Sequence, residues 1–340
     1  CIQGAAASGA GRRTAVAGGA GGRGAGAAER GKRMEFHHLP VLLTECMDGL
    51  RVAPGGEYLD CTLGGCGHTR RILEALPSVR VIGLDRDDDA IANARNTLTD
   101  PRFTAVKANF ASACGVLDSL GVQTVDGVLM DLGVSSYQLD NADRGFSYMK
   151  DAPLDMRMDR SGGITAYDVV NGYSEPELVR ILTLYGEERF ARRIASRICE
   201  ARAAKPIEST LELARLASAA IPAKNRSEGH PARRTFQAVR IEVNGELAVL
   251  EESIRALTER LSAGGRFAVI SFHSLEDRIV KSTFASLADP CVCPRDLPVC
   301  ACGRKPSVRI LTKKPILPSE RENAENNRSH SAKLRVAEKL

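Results

Sequence analysis

From Glu57 onward the apolar positions fall in short runs that alternate with stretches at helical spacing. Tyr58 to Leu63 reads as a strand and Gly64-Gly65-Cys66-Gly67 as a turn. Thr69 to Leu76 carries Ile72, Leu73 and Leu76 on one helical face, and Pro77 closes it. Val79 to Leu84 predicts a second strand ending at Asp85, Asp88 to Leu98 a helix, Phe103 to Ala108 a third strand and Val125 to Met130 a fourth. Such alternation is a βαβ series around a parallel sheet, an α/β fold.

After Asp155 the pattern turns to helices alone. Ser174-Glu175-Pro176-Glu177 supplies an N-cap, a first-turn Pro and a Glu at the third position, with Leu178, Ile181, Leu182 and Tyr185 behind them on one face. A second helix uses Phe190, Ile194 and Ile198, and Ser209 with Glu212 opens a third. Strand character returns at Gly264 to Phe272. The expected organisation is a sheet domain, 34–145 and 236–340, interrupted by an all-helical insertion at 146–235.

Between them lies DGVLMDLGVSSYQLDNADRGFSYMKDAPLDMRM at 126–158, which begins as a buried strand and continues far more polar than a loop needs. Asp131, Ser135 and Ser136 follow the strand where a parallel sheet binds ligands.

Composition separates the first 33 residues from the rest. They are Gly, Ala and Arg with almost no large apolar side chain, so burial cannot offset the cost of ordering them. A disordered extension outside the native chain is expected there, with Met34 as the natural start and an Arg-rich organellar transit peptide as the competing reading. That segment holds six Lys/Arg and one Glu, so the overall charge of +5 leaves the remainder neutral, with 41 residues of each sign. The charge is polarised: residues 189–240 carry 12 Lys/Arg against 4 Asp/Glu, and 301–340 carry 10 against 4. Two basic tracts on a neutral protein suit a directed contact with a polyanion, or else solvated helix faces. No apolar run approaches the ~20 residues of a membrane span, so a soluble protein of a reducing cytoplasm is expected, no membrane being involved. Among ten cysteines, Cys291, Cys293, Cys300 and Cys302 cluster as two C-x-C pairs, tighter than the usual zinc spacing. A structural metal and a Pro-stiffened loop of thiols both remain open.

The glycine turn at 64–67 is the cofactor candidate, because a Gly-rich loop between strand and helix exposes backbone N–H groups. A nicotinamide fingerprint requires G-x-G-x-x-G, and the third position here is Arg70, which disfavours a dehydrogenase. Asp60 suits a ligand amino group, and Asp85 is placed to accept ribose hydroxyls, unless it only caps the next helix. S-adenosylmethionine fits these features better than NAD.

DCTLGGCGHT at 60–69, the run at 126–147, APLDMRM at 152–158, YGEERFARRIA at 185–195, HPARRTFQAVRIEVNGEL at 230–247, ISFHSLEDRIVK at 270–281 and SAKLRVAEK at 331–339 together resemble the MraW/RsmH family of bacterial 16S rRNA cytosine-N4 methyltransferases. The likeness runs in order from about Phe36 to the C-terminus. It implies a class I S-adenosylmethionine-dependent methyltransferase, Rossmann-like with a mostly parallel sheet and an inserted helical domain. The implied substrate is the exocyclic N4 of cytidine at position 1402 in the decoding region, with 16S rRNA or the small ribosomal subunit as partner. Carried over residue by residue, it assigns the cofactor to Cys66, Gly67, His68, Asp85, Phe110, Asp131 and Gln138, with Asp60 and Gly64 in support. Cys66 departs from the family's glycine there, and Asn326-Asn327-Arg328-Ser329-His330-Ser331 stands where the family has Asn-Pro-Arg-Ser-Arg-Ser. A side chain at 66 is expected to hold the backbone away from the ligand.

The chemistry is an in-line displacement at a sulfonium methyl by an amine whose lone pair is delocalised into the cytosine ring. An enzyme helps by orienting that nitrogen. The turn after the fourth strand lacks the Pro-Pro-aromatic sequence of many amino methyltransferases, so Asp131 with Ser135 or Ser136 is the candidate orienting set. His273 is expected to line the pocket, although His273-Ser274-Leu275-Glu276 also reads as a helix-capping box. A base in structured RNA must be extruded to reach such a site. Arg192, Arg193, Arg197, Arg233, Arg234 and Arg240, joined by Lys313 and Lys314, are the candidate backbone grip. The rival functions are a methyltransferase for another substrate and a catalytically weak RNA-binding protein of the same fold.

Overall fold

The computed structural model describes residues 40–225, 229–294, 299 and 301–340; the expected extension at 1–33 and Cys300 lie outside them. β1 (Glu57–Asp60), β2 (Arg80–Asp85), β3 (Phe103–Lys107), β4 (Val125–Asp131), β5 (Leu261–Ser271), β6 (Val308–Ile310) and β7 (Lys333–Lys339) form one sheet in the order β3-β2-β1-β4-β5-β7-β6. The first five run parallel, and β7 pairs antiparallel with β5 on one side and β6 on the other. Helices α1 (Leu43–Leu50), α2 (Gly67–Ala75), α3 (Asp88–Thr97) and α4 (Ala113–Ser119) accompany the first strands.

Both faces of the sheet are covered, as a parallel sheet requires. The pleat sends alternate side chains to opposite cores: Leu59, Val128, Met130, Phe267 and Val269 join one, while Tyr58, Leu129, Ala268 and Ile270 join the other. β1 ends at Asp60, earlier than the apolar run suggests. The Thr62 N–H turns to Asp60 Oδ1 at 3.1 Å and leaves the ladder, even though Leu63 N–H still reaches Leu84 O at 2.9 Å.

Between β4 and β5 come α5 (Ser136–Asp140), α6 (Ala166–Gly172), α7 (Glu175–Leu184), α8 (Ala191–Ala204), α9 (Thr210–Ala220), α10 (Arg233–Asn244) and α11 (Leu250–Glu259). Their capping follows the residues singled out in the sequence: Ser174 and Glu177 form a reciprocal box on α7, and the Ser209 side chain accepts from Glu212 N–H on α9. Helices α6 to α10 share a core of their own, in which Leu154, Met156 and Met158 meet Val170, Ile181, Ile194, Leu213 and Phe236. An edge at residue 235 would cut α10, whose buried Phe236, Ala238 and Val239 belong to that core. α12 (Ser274–Ala288) follows β5, and α13 (Glu320–Glu325) precedes β7. The Leu42 N–H ahead of α1 donates to Glu322 of α13 at 2.7 Å.

The strand order reverses between β1 and β4, so the chain leaving their carboxyl ends diverges and opens a crevice.

Candidate active site

That crevice is a cleft of about 470 Å³, walled by Gly64, Gly67, Asp85 and Phe110 from the first half of the sheet, by residues 131–139 after β4, and by Tyr148, Phe236 and Arg240 from the helical block. Asp85 is its best-placed acceptor. Gly64 N–H and Asp87 N–H each donate to one of its oxygens at 2.9 Å, leaving lone pairs on both. Burial pushes its carboxyl up to about 6, against the pull of those two hydrogen bonds. Asp85 does not cap α3; Asp87 does, accepting from Asp89 N–H at 3.1 Å.

Two residues assigned to the cofactor stand elsewhere. Asp60 is buried behind the turn, where Oδ2 accepts from Thr69 Oγ1 at 2.7 Å and Oδ1 from Thr62 N–H, so it is a structural anchor and forms no part of the cleft wall. Cys66 is also fully buried, packed with Leu63, Ile91 and Ala94, and its side chain forms no part of the cleft wall. Its backbone is left-handed at φ 64°, a conformation that favours glycine. Burial drives the thiol up to about 12, so it is unreactive at neutral pH. The close approach belongs to Gly67, where a Cβ would lie 2.2 Å from Cγ of Pro40. Phe110 stands on the wall at the start of a short 3-10 turn capped by Asn109.

Asp131 lies on the cleft wall at the end of β4. Its N–H donates to Thr62 Oγ1 at 2.6 Å, whereas its buried Oδ1 has no partner among the described residues. Burial, then the charges of Asp60 and Glu276, push this carboxyl up to about 8. His68 faces it with Nδ1 3.8 Å from Oδ2, while His68 Nε2 meets Val41 O at 3.1 Å. Burial lowers the His68 pKa, so the ring is neutral; an Nε2–H donating to Val41 O leaves the Nδ1 lone pair toward Asp131.

Ser135 and Gln138 are tied up in a capping box on α5: Ser135 N–H donates to Gln138 Oε1 at 3.0 Å, and Gln138 N–H to Ser135 Oγ at 3.3 Å. Gln138 Nε2 then donates to Asp87 Oδ2 at 2.7 Å, which leaves one amide hydrogen for a ligand. Ser136 carries no such duty and lines the cleft. The same Asp87 Oδ2 lies 2.8 Å from Arg144 Nη2, and Arg144 Nη1 meets Asp89 at 2.9 Å. Arg144, with a fully buried side chain, also donates to the carbonyls of Arg157 and Met158 at 3.0 Å.

His273 lines the cleft and also caps α12, its Nδ1 accepting from Glu276 N–H at 3.4 Å. Its Nε2 is 3.1 Å from Glu276 Oε1 but poorly aligned and makes no hydrogen bond there. Burial acts to raise the Glu276 pKa, yet His273, Arg240 and the Phe272 N–H outweigh it and hold that carboxyl below its usual range. Arg240 is clamped at 2.9 and 2.8 Å to both oxygens of Glu246, so it braces the cleft and is withdrawn from the backbone grip. Among the other candidates, Arg192, Arg193 and Arg197 are exposed on α8, and Lys313 and Lys314 are exposed between β6 and β7. Arg234 is held to Glu187 O at 3.0 Å, and Arg233 lines the cleft beside Ser331, which it meets at 3.2 Å.

Sequence reasoning passed over Tyr148, Phe236, Arg144, Glu246 and Arg328. Tyr148 stacks on His230 with centroids 4.6 Å apart and meets Phe236 edge-on at 5.6 Å, giving the cleft an aromatic wall. Arg328, held to Asp140 at 2.6 Å, brings the segment before β7 to the same cleft. The quoted runs at 126–147 and 230–247 contained most of these residues, but nothing in their spacing said that the two runs meet.

A model of the MraW methylase family matches residues 35–340. The chain is 55% identical over 309 residues to a protein of Carboxydothermus hydrogenoformans named ribosomal RNA small subunit methyltransferase H, covering 90% of this chain and 99% of that one. Proteins of the same name from Clostridium botulinum strain Kyoto and Clostridioides difficile strain 630 are 53% and 54% identical, each match covering 90% of this chain and all of the relative. With the family match spanning the sheet, the helical block and every wall of the cleft, this chain belongs to the MraW methylase family.

Proposed function

We propose that this chain methylates the exocyclic N4 of a cytidine in 16S rRNA, at position 1402 of the decoding region, using S-adenosylmethionine. The observation that carries the reading is a single cleft in which Asp85, its oxygens half-occupied by Gly64 and Asp87 N–H groups, shares a wall with the unpartnered Oδ1 of Asp131. The family and the names of the relatives supply the reaction class. S-adenosylmethionine, when bound, supplies a methyl group on a positively charged sulfur. Asp85 would accept from its ribose hydroxyls, the Gly67 backbone would approach it, and Phe110 would wall its adenine side. A neighbouring cation favours the charged form of Asp131. Its Oδ1 then becomes an acceptor for an amino hydrogen of the cytosine, with the Ser136 hydroxyl as second orienting group.

The helical block completes the substrate side. Tyr148 and Phe236 offer stacking faces for an extruded base, and Arg233 and Arg328 stand at the same cleft to meet its phosphates. The weak-binder alternative rested on Cys66 crowding the turn, and Cys66 faces a buried apolar cluster instead. The test is mass spectrometry of nucleosides from small-subunit rRNA, naked and assembled, after incubation with the protein and labelled S-adenosylmethionine. Labelled N4-methylcytidine in either substrate is the expected result; its absence from both overturns the reading.

A further inference from the structure

Between α12 and β6 the chain makes an excursion from Asp289 to Pro306, closed at its base where Ser307 N–H donates to Leu287 O at 2.9 Å. Connections without regular structure seldom exceed roughly 12–15 residues. Among the described residues of 291–306, only Cys293 and Cys302 are shielded from solvent. Val292 and Val299 are 62% and 76% exposed, so among the described residues of this loop no apolar cluster offsets the cost of ordering it. What gathers there is sulfur: Cys291, Cys293 and Cys302 place their Sγ atoms within 4.8 Å of one another.

We infer that Cys291, Cys293 and Cys302 hold a structural zinc ion. Zinc binds thiolates at about 2.3 Å in a tetrahedron, which sets the sulfur–sulfur edge at about 3.8 Å. The Cys291 and Cys302 sulfurs are 3.9 Å apart, whereas a disulfide requires about 2.05 Å. The Ala301 N–H points at Cys293 Sγ from 3.3 Å, the kind of outer hydrogen bond that steadies a metal-bound thiolate. Exposed Arg304 and Lys305 follow directly and offset the negative charge of a zinc–thiolate centre. Binding transfers one proton from each thiol to solvent and cross-links the two ends of the loop through the metal. Three thiolates leave one tetrahedral position for a further donor.

The experiment uses the full chain, purified under reducing conditions, reconstituted with zinc sulfate and freed of excess metal by gel filtration. Elemental analysis is expected to give about one zinc per chain, and cobalt in its place a thiolate-to-cobalt charge-transfer band. The Cys291→Ser/Cys302→Ser double variant should lose both signals, and Cys199→Ser, outside the cluster, should keep them. Wild-type protein holding less than about half an equivalent of zinc, or cobalt-loaded protein without the band, overturns the inference. So does a double variant that retains full zinc. The wild-type arms decide the matter even if the double variant does not fold.

Discussion

Burial and the charges of Asp60 and Glu276 push the Asp131 carboxyl up to about 8, which makes the cleft sensitive to pH. The ordinary carboxylate value is 3.8, and both Asp85, near 6, and Asp131, near 8, sit above it in the folded chain. For a carboxyl raised on folding, the stabilising contribution is complete below about pH 4 and is lost as the pH rises through the folded value. The cofactor-free protein should therefore melt at progressively lower temperature from about pH 5 to about pH 9. Asp131→Asn should remove the upper part of that decline, measured by thermal unfolding across the range. A cation brought beside Asp131 reverses the preference. Calorimetry at neutral pH in two buffers of different ionisation heat should detect release of up to about one proton on S-adenosylmethionine binding. Binding without proton release would detach Asp131 from the cation. Position was legible where one chemical demand acted on a residue, as with Asp85, a strand-end carboxylate that lines the cleft. Asp60 and Cys66 stand off the cleft wall for reasons the sequence does not announce: a Thr69 hydroxyl from the next helix holds the one, and a left-handed φ turns the side chain of the other into a buried cluster.

At the level of elements, the turn after β4 separates two neighbouring hydroxyls that looked equivalent. Ser135 spends its oxygen on the N-cap of α5, and Ser136 does not. Ser135→Ala should cost about 1 kcal/mol of stability through the lost cap, visible as a lower melting temperature. Ser136→Ala should leave the melting temperature unchanged, so any fall in methyl transfer there reports on orientation of the amine. A Ser136→Ala enzyme with wild-type turnover would remove that hydroxyl from the chemistry. The first four strands were legible because a sheet buried on both faces writes itself as apolar runs. The end of β1 was not, since it depends on one Thr62 hydrogen bond, and neither was the reach of the helical core, because the apolar stripe of α10 continues past residue 235 to Val239.

Over the whole molecule the positive charge is sorted by what it touches. Arg240 and Arg144 are consumed inside the protein, while Arg192, Arg193 and Arg197 are presented outward from one helix. Reversing those three to Glu should weaken binding of small-subunit rRNA. The slope of log affinity against log salt should flatten by roughly 2 if each Arg meets one phosphate, with cofactor affinity unchanged. Filter binding across a salt series reads both, and an unaltered slope would assign α8 to another partner. The sequence announced that charge was concentrated without saying which cations were already spoken for.

Arg144 has a last implication. One guanidinium neutralises the carboxylates of Asp87 and Asp89 after β2 and also holds the carbonyls of the strap that enters the helical block. The two halves of the cleft are thus indexed to each other by a single side chain, with no hinge between them at that point. A chimera whose borrowed segment includes residue 144 must keep an arginine there, or Asp87 and Asp89 face each other without this counter-ion. The helical block behaves as an inseparable wall of the cleft, not as an accessory that could be traded at its loops.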